Sequence, residues 1–538
     1  MKYHLPTTIF TSIYFRAAMN YNYSGRDFFT FAVTVLLPLG CITEVSADSL
    51  TYEVVGDTVT IKDCKETASG TLVIPSIYEG KPVTSIGSWA FWKCTKLTSV
   101  TIPDSVTSIG NFTFHSCSDL RSVTIGNSVT NIMAGAFFRC SSLTSVTIPD
   151  SVISIDRGAF IACGSLTSIE ASKGNAQYSS EDGVLFDKHK TELVLFPAGK
   201  SGHYTIPDSV TSIGDRAFNY CHNLFGVTIP DSVTSIGGGA FESCISLASV
   251  TIPDSVTSIG NSAFNYCRDL ASVTISNSVT SIADGTFYIC MNLTSVTIPD
   301  SVTSIGNSAF AWCINLTSIN ISDSVTSIDN YAFEGCFNLK SVTIPDSVTD
   351  IREGAFGRCR GLTSVTIPDS VTSIGEKAFY DCRSLTSITI PDSVIGIYNR
   401  AFEGCTSLKR ITFEGDAPFF LGANVFSNVS GNAKVFINPD AIAFGETLEG
   451  LPVIIFEELE INTFSKSVAP RRPFKQSASP FSLNFDSISG LTYKIEASHD
   501  LKKWGEIAEV QASGSSVKFT DWREAIFQNQ YYRVKLVE

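Results

Sequence analysis

The residues best suited to chemistry in this 538-residue chain are cysteines that recur at a fixed interval. Thirteen of them follow one another at steps of 23 residues, apart from one step of 58, and a phenylalanine precedes each by three positions. Neighbouring thiols can form disulfides or bind a metal ion, whereas buried thiols pack as small apolar groups. Because equivalent side chains of stacked segments would run parallel into a core, we expect free buried thiols rather than disulfides or a metal site. The thirteen are Cys94, Cys117, Cys140, Cys163, Cys221, Cys244, Cys267, Cys290, Cys313, Cys336, Cys359, Cys382 and Cys405, whereas Cys41 and Cys64 lie outside the series.

A second series consists of aspartates in a recurring Pro-Asp-Ser tripeptide. Stacked carboxylates repel one another unless a cation or backbone donors compensate, so a stripe of calcium ions is conceivable. The simpler interpretation is an Asx-type turn in which each carboxylate accepts a nearby backbone N–H, and we favour it. The members are Asp104, Asp150, Asp208, Asp231, Asp254, Asp300, Asp323 (where serine replaces the proline), Asp346, Asp369 and Asp392, with Asn127 and Asn277 at two equivalent places.

Hydroxyl side chains alternate with apolar ones just before each tripeptide. Such an array could bind a glycan, a protein or ice, although β-branched threonine also simply suits an exposed strand. The candidate ligand face comprises Ser99, Thr101, Ser249, Thr251, Ser295, Thr297, Ser364 and Thr366. Recognition is better sought where the units differ, as at Asn111-Phe112, His115-Ser116, Asn219-Tyr220, Asn265-Tyr266, Ala311-Trp312 and Arg358.

Catalytic constellations are not evident in the sequence. None of the six histidines belongs to a zinc-protease motif, and no nucleophile elbow or glycine-rich phosphate loop occurs. We therefore predict that the chain is not an enzyme and needs no cofactor. The histidines are His4, His115, His189, His203, His222 and His499.

The elements that must position these residues follow from the repeating unit, which reads LTSVTIPDSVTSIGNFTFHSCSD from Leu97 to Asp119. Val100 and Ile102 are two apart, as residues on one face of a strand must be. Pro103 then ends that strand, because it has no amide hydrogen to donate.

The second half of the unit returns the chain to the next strand. Val106 and Ile109 supply a second apolar edge, and Phe114 with Cys117, three apart, suits one turn of α- or 3-10 helix. One such unit cannot bury its own apolar side, so successive units must stack. The predicted interior positions include Phe91, Cys94, Phe114, Cys117, Phe264, Cys267, Phe310, Cys313, Phe379 and Cys382.

The pattern LxxVxIPxxVxxIxxxAFxxC, from about Leu72 to Gly415, resembles the BspA-type, or treponemal-type, leucine-rich repeats of surface and secreted proteins. It differs from the commoner repeat by placing Pro-Asp-Ser where an Asn or Cys ladder would begin. The resemblance implies a leucine-rich-repeat solenoid with a parallel β-sheet face, and a role in adhesion or host interaction without a specified ligand. The fold class expected is mainly β with short helical or 3-10 turns, plus a small C-terminal β-sandwich-like module.

Changes in composition place the boundaries around this array. Gly56-Asp57 between two strand-like runs predicts a hairpin in the N-terminal cap. The 58-residue step holds two more strand-like runs, at 183–186 and 192–196, that we expect to form an outward hairpin. The predicted segments are a signal peptide at 1–47, the cap at 48–93, repeats at 94–415 with the irregular insertion near 171–204, a C-terminal cap at 416–458, a linker at 459–480 and the small β module at 481–538.

The N-terminal segment predicts export. Translation from Met19 would give an apolar run at 28–42 followed by small residues ending at Ala47, as in a signal peptide. An imperfect lipobox ending at Cys41 offers lipid anchoring as the less favoured alternative. The run is too short to indicate a membrane-spanning helix, so we do not expect an integral membrane protein.

Charge and repetition together point to a binding function. The net charge of -14 and the pI near 5.0 disfavour a nucleic-acid partner, because phosphate binding needs clustered positive charge. We expect a secreted or cell-surface binding or adhesion scaffold that engages a protein or glycan and is monomeric or weakly self-associating. The alternative is a structural surface-layer or assembly spacer, with ice-binding and enzymatic roles less favoured.

Overall fold

The computed structural model describes residues 49–455 and five segments of the C-terminal part, 481–486, 491–498, 505–511, 516–521 and 531–537. The predicted signal peptide, with Met19 and Cys41, and the predicted linker at 459–480 lie outside the described residues. In the described part of the chain, no helix is long and apolar enough to span a bilayer.

Each 23-residue unit forms one coil of a parallel β-solenoid, as the sequence predicts. Ser99 pairs with Ser122, Val100 with Val123 and Thr101 with Thr124, so the register advances by one repeat. A parallel register of this kind keeps every apolar position in line with its equivalent in the next coil. The hydrophobic effect therefore acts on the whole stack and not on isolated coils.

Every regular coil contributes two strands, which we call the front strand and the side strand. The front strands pair in parallel over much of the stack and are Ser69–Val73, Lys96–Thr101, Ser122–Thr124, Ser145–Ile148, Ser168–Ala171, Gly202–Thr205, Leu224–Thr228, Ser249–Thr251, Ser272–Thr274, Ser295–Thr297, Ser318–Asn320, Ser341–Thr343, Ser364–Thr366, Ser387–Ile390, Arg410–Phe413, Lys434–Ile437 and Leu451–Ile455. The side strands are Thr58–Cys64, Lys81–Ile86, Ser108–Ile109, Asn131–Ile132, Ser154–Ile155, Glu192–Leu195, Ser212–Ile213, Ser235–Ile236, Ser258–Ile259, Ser281–Ile282, Ser304–Ile305, Ser327–Ile328, Asp350–Ile351, Ser373–Ile374, Gly396–Ile397 and Phe420–Leu421.

The segment that carries phenylalanine and cysteine forms tight turns, so the prediction of a short helix there is wrong in detail. Trp89 and Lys93 have φ angles of 64° and 57°, which a right-handed helix does not allow. The Phe91 amide donates to the Thr113 carbonyl of the next coil at 2.8 Å instead of to its own segment. Bonds between coils thus alternate with local turn bonds, such as that from the Cys94 N–H to the Phe91 carbonyl at 3.1 Å.

The interior is dominated by a column of stacked phenylalanine rings. Adjacent rings from Phe91 to Phe160, and again from Phe196 to Phe426, have centroids 4.7 to 5.6 Å apart. Offset or parallel aromatic pairs at this distance add roughly 0.5–1.5 kcal/mol beyond the burial of their area. The column therefore couples each coil to its neighbours.

The irregular insertion interrupts this column. Strand Val184–Asp187 pairs antiparallel with Glu192–Leu195 on one side and with Tyr178–Glu181 on the other. An outward hairpin was expected, but this expectation is wrong, because Val184, Leu185 and Phe186 are fully buried. Leu185 packs with the core that precedes the insertion, and Phe186 packs with the core that follows it. The hairpin thus forms an apolar partition within the stack.

Short antiparallel pairs occur at both ends of the solenoid. Strand Leu50–Val55 forms the predicted hairpin with Thr58–Cys64, and Ile77–Tyr78 pairs with the following side strand. At the other end, Thr447–Leu448 pairs with Leu451–Ile455. The C-terminal segments form two antiparallel sheets, one of Phe481–Asp486 with Ser516–Asp521 and one of Gly505–Gln511, Thr492–Ser498 and Tyr531–Leu536.

Candidate binding surface of the solenoid

The structure places the predicted interior residues inside the stack, all with 0% exposure. They are Phe91, Cys94, Phe114, Cys117, Phe264, Cys267, Phe310, Cys313, Phe379 and Cys382. Each thiol beyond Cys94 in the regular series also has a polar partner, the phenylalanine carbonyl oxygen of the preceding coil. The Cys117 thiol donates to Phe91 at 3.1 Å, and the Cys290 thiol donates to Phe264 at 3.3 Å. The thiols therefore donate weak hydrogen bonds between coils in addition to packing in the core.

Burial also makes these thiols poor nucleophiles. Desolvation raises the pKa of Cys163, Cys313 and Cys359 to about 12. The thiolate is the reactive form of cysteine, and these side chains hold their protons at neutral pH. All the described cysteines are unpaired with one another.

Cys64, which the spacing alone leaves outside the series, lies directly before its first member. Its side chain is 3% exposed, and the Cys94 thiol lies 3.7 Å from the Cys64 carbonyl oxygen. The neighbouring Cys64 thiol, together with burial, raises the pKa of Cys94. The cap thus supplies a cysteine to the column from a segment that does not follow the 23-residue repeat.

The Pro-Asp-Ser corners are held by a turn bond within each coil and by further bonds between coils. The valine after each tripeptide closes a turn on the proline carbonyl, as in Val106 to Pro103 at 3.1 Å. Where asparagine stands in the next coil, its backbone N–H donates to the aspartate, as in Asn127 to Asp104 at 2.7 Å. At Asp104 and Asp254 the bond predicted within one turn thus runs to the following coil. In the residues that the structure describes, no three His, Cys, Asp or Glu side chains gather as a metal site.

The candidate hydroxyl face lies along the front strands. Ser249, Thr251, Ser295, Thr297, Ser364 and Thr366 are exposed, and Ser99 and Thr101 are half-buried. The Ser122 hydroxyl donates to Ser99 across adjacent coils at 3.1 Å. The face is regular but chemically uniform, so it offers little to distinguish one ligand from another.

A more varied surface runs along the tight turns that follow each side strand. We call it the turn face and define it as the side chains at the two positive-φ positions of each coil and at the residue just before the second. The non-glycine residues with positive φ on this face include Trp89, Lys93, Phe112, Ser116, Arg139, Tyr220, Tyr266, Trp312, Tyr331, Arg358, Lys377 and Arg400. Among them are Phe112, Ser116, Tyr220, Tyr266, Trp312 and Arg358, the variable positions that the sequence singles out. Only the stacked fold brings these positions into one column.

Positive φ is unfavourable for bulky side chains, at a cost of roughly 1–2 kcal/mol per residue. The backbone is held there by bonds between coils, such as Tyr266 N–H to the Tyr288 carbonyl at 2.8 Å and Trp89 N–H to the Asn111 carbonyl at 3.0 Å. The turn face is therefore rigid, and it projects large side chains from a backbone that cannot relax.

Polar and aromatic groups alternate in the middle of the turn face. The Asn219 and Asn265 amides donate to opposite oxygens of Glu242 at 2.9 and 3.5 Å. The Tyr266 ring meets Tyr288 edge to face at 5.9 Å. These side chains come from successive coils and form one continuous strip.

Cationic and aromatic groups meet nearer the C-terminal end of the turn face. The Arg358 guanidinium lies over the Trp312 ring at 5.7 Å and 3.7 Å from Glu334. Burial raises the pKa of Glu334. A cavity of about 300 Å³ lies here, and Lys377 and Tyr380 complete much of its lining. The region combines donors, acceptors and ring surfaces within one small area.

Glycines in neighbouring coils make room for the aromatic rings of this face. A Cβ added to Gly354 would lie 2.3 Å from the Tyr331 ring, and one added to Gly135 would lie 2.3 Å from Phe112. Gly354 also has a φ of 59°. Glycine is therefore needed at these positions for two reasons. A Cβ would overlap the neighbouring ring, and the backbone conformation favours glycine.

Replacing Gly354 with alanine is expected to destabilise the chain by about 1–3 kcal/mol, because the methyl group displaces the Tyr331 ring. Thermal unfolding followed by circular dichroism measures the loss. Gly164→Ala is the matched control, since a Cβ at Gly164 meets nothing within 4 Å. Equal melting temperatures for the two variants would show that the ring does not depend on the glycine.

Comparison with known families agrees with this architecture. The description "BspA type Leucine rich repeat region" matches residues 69–182, 196–316 and 303–432, in six copies. The chain belongs to the BspA type leucine-rich repeat family. A search of curated proteins finds no match.

Solved structures of other leucine-rich repeat proteins are similar to this family member. A leucine-rich repeat protein from Bacteroides ovatus is 30% identical, with 73% of this chain and 94% of that chain covered and a TM-score of 0.46. A leucine-rich cell surface protein from Faecalibacterium prausnitzii is 31% identical, with coverage of 72% and 98% and a TM-score of 0.42. A leucine-rich repeat protein from Eubacterium ventriosum is 26% identical, with coverage of 60% and 95% and a TM-score of 0.48.

The family match extends beyond the last regular cysteine. It ends at residue 432 and so includes Phe426, whose ring stacks on Phe402 at 5.5 Å. BspA-type coils thus continue in this chain after the 23-residue spacing of cysteines has ended.

Proposed function

We infer that this BspA-type repeat protein is an exported, non-catalytic scaffold that binds a protein or a glycan through its solenoid. The observation that carries this inference is the turn face, where large aromatic and charged side chains project from strained, rigid turns. Strain at exposed positions lowers stability, and it persists where the surface serves another purpose. Binding is the purpose that such side chains fit best.

The turn face is better suited to specific recognition than the front strands. Specificity requires differences between surfaces, and the turn face changes from coil to coil whereas the hydroxyl face repeats. The hydroxyl face, from Ser99 to Thr366, is retained as the second candidate surface. Several weak contacts along either face would add through avidity.

Export is part of the same proposal and rests on the N-terminal sequence. The apolar run at 28–42 and the small residues before Asp48 are typical of a signal peptide. Cleavage after Ala47 is favoured over lipidation at Cys41. Mass spectrometry of the N-terminus of the protein recovered from its native host distinguishes the two.

The full chain is expected to bind a reproducible subset of ligands on microarrays of glycans and of purified extracellular proteins. Replacing Tyr220, Tyr266 and Trp312 together with asparagine is expected to reduce that binding by at least about tenfold, since aromatic side chains dominate interface energetics. Asparagine tolerates positive φ, so the backbone should be retained. Surface plasmon resonance on the hits gives the affinities.

A matched front-strand variant carries lysine at Thr251, Thr297 and Thr366 and should bind as the parent does. Loss of binding in this variant alone would assign recognition to the hydroxyl face. Absence of any specific ligand on both arrays, with self-assembly that rises with concentration, would refute the binding function and favour a structural spacer.

A further inference from the structure

A cavity of about 580 Å³ opens at the start of the solenoid. Trp89 and Trp92 form one side of it, and the other side is formed by Lys62 and Asp63 at the end of the first side strand and by Glu66 in the turn that follows. The two indoles are 46% and 40% exposed. They meet edge to face, with centroids 6.3 Å apart and an angle of 86° between their planes. We call this feature the tryptophan cavity.

The cavity exists because the stack begins at this point. Trp89 stacks on Phe112 at 4.5 Å, and the Phe112 ring in turn rests on Gly135. The segment that precedes Trp89 has a short turn after Cys64 in place of the two positive-φ turns of a regular coil. The indole face of Trp89 turned away from Phe112 therefore borders the cavity instead of another coil.

The position of Trp89 is unfavourable for folding by two criteria. Its φ is 64°, and nearly half of its side chain is in contact with solvent. Glycine, serine or charged residues occupy most equivalent positions, such as Gly239, Ser262 and Lys377. Packing on Phe112 accounts for one face of the Trp89 indole, and the exposed part of the ring, held on strained backbone beside Trp92, is available to a ligand.

The rim defines the chemistry of that ligand. Lys62 and Lys65 contribute positive charge, and Asp63 and Glu66 contribute negative charge. Glu53, which pairs with Lys62 at 3.1 Å, and Lys93, which lies over Trp92, add one charge of each sign, so the surroundings of the cavity are balanced. A balanced rim gives no preference for phosphate or another anion. It suits a neutral ligand that carries many hydroxyl groups.

Size and shape narrow the ligand further. The volume lies within the range of small-molecule sites, whereas a protein partner needs roughly 800 Å² of buried surface on each side. An indole face adjoining a second, perpendicular indole offers an apolar wall for the C–H face of a pyranose ring. The surrounding carboxylates and ammonium groups can bind the hydroxyls at the edge of the same ring.

We propose that the tryptophan cavity binds a neutral carbohydrate, with one sugar ring stacked on Trp89 and its hydroxyls bonded to the charged rim. This proposal rests on the binding function inferred above and names the ligand class for one site of the turn face. The Lys93 ammonium, 4.2 Å above the Trp92 ring, holds the second indole in place.

The test uses the full chain and a panel of neutral trisaccharides of glucose, galactose, mannose and N-acetylglucosamine, with sialyllactose and a heparin hexasaccharide as charged probes. At least one neutral sugar should bind and change the tryptophan fluorescence. Trp89→Asn is expected to weaken that binding by at least about tenfold and to remove the fluorescence change. Its melting temperature should equal or exceed that of the parent, because asparagine tolerates positive φ.

Tyr398→Asn is the matched control, since Tyr398 is similarly exposed at 45%, rests against the Phe420 ring at 5.0 Å and lies outside the turn face. This variant should bind the sugar within about twofold of the parent. Equal loss in both variants would overturn the site, as would binding of the charged probes alone. A chain that binds proteins on the array but no sugar would overturn this inference and leave the binding function standing. A chain that binds neither would refute both.

Discussion

Replacing Phe264 with alanine is expected to lower the free energy of unfolding by about 3–5 kcal/mol, the range for removing a fully buried aromatic side chain. The Phe264 ring is 0% exposed and stacks between Phe241 and Phe287 at 5.1 and 5.5 Å. Its loss leaves a cavity that rigid neighbours on both sides cannot fill. Urea unfolding followed by circular dichroism measures the change.

The same variant is expected to broaden the unfolding transition. Each coil of a solenoid contacts only its neighbours, so a weakened coil separates the halves of the stack energetically. Phe225→Ala provides the matched control, because this phenylalanine is 58% exposed. Its replacement should lower the free energy of unfolding only slightly. Equal losses in the two variants would contradict a continuous phenylalanine column.

The second large effect that we expect is unfolding of the protein at alkaline pH. Burial raises the pKa of thiols such as Cys163, Cys313 and Cys359, so the native state retains protons that the unfolded chain gives up above about pH 8.5. The stability contribution of the neutral thiol is complete below that pH and is lost as the pH rises toward about 12, the folded pKa of Cys163, Cys313 and Cys359. Each such thiol lowers stability by about 1.4 kcal/mol per pH unit in this window.

Those three thiols together give a slope of about 4 kcal/mol per pH unit, and other thiols whose pKa is raised by burial, such as Cys140 and Cys267, increase this slope. Domain stabilities are about 5–15 kcal/mol, so we expect cooperative unfolding before about pH 11. Far-ultraviolet circular dichroism across the alkaline range, with a reductant present, follows the transition.

A variant with alanine at Cys163, Cys313 and Cys359 separates thiol titration from other causes. It should be less stable at neutral pH, because each change removes a bond to a phenylalanine carbonyl, yet its stability should fall less steeply above about pH 8.5. Parallel slopes for parent and variant would show that tyrosine or lysine titration causes the alkaline transition instead.

The repeat sequence predicts most of the fold because the spacing of its apolar residues already specifies which side chains pack together. Cysteine, phenylalanine, valine and isoleucine recur at positions that can face inward only if equivalent segments stack in parallel. The predicted helix failed because a spacing of three residues suits both a helical turn and paired tight turns. The positive φ angles of Trp89 and Lys93 show that the segment forms tight turns. The residue types at these two positions do not predict a positive φ.

The candidate site could be predicted from the sequence only in part. The variable residues from Phe112 to Arg358 stand out against a constant background, so their importance can be inferred from the sequence. Their common surface cannot, because it depends on where each turn directs the side chain. The tryptophan cavity depends further on the cap, whose irregular sequence gives no period from which to place Cys64 or Glu66.

By itself, the sequence determined the period, the inward-facing residues and the parallel stack, since burial of apolar side chains at a fixed interval allows few other arrangements. The tertiary structure alone decided which groups bond between coils and which rings remain uncovered. Hydrogen bonds and exposed surfaces depend on the relative placement of residues from different coils, and that placement is set only when the coils are packed together.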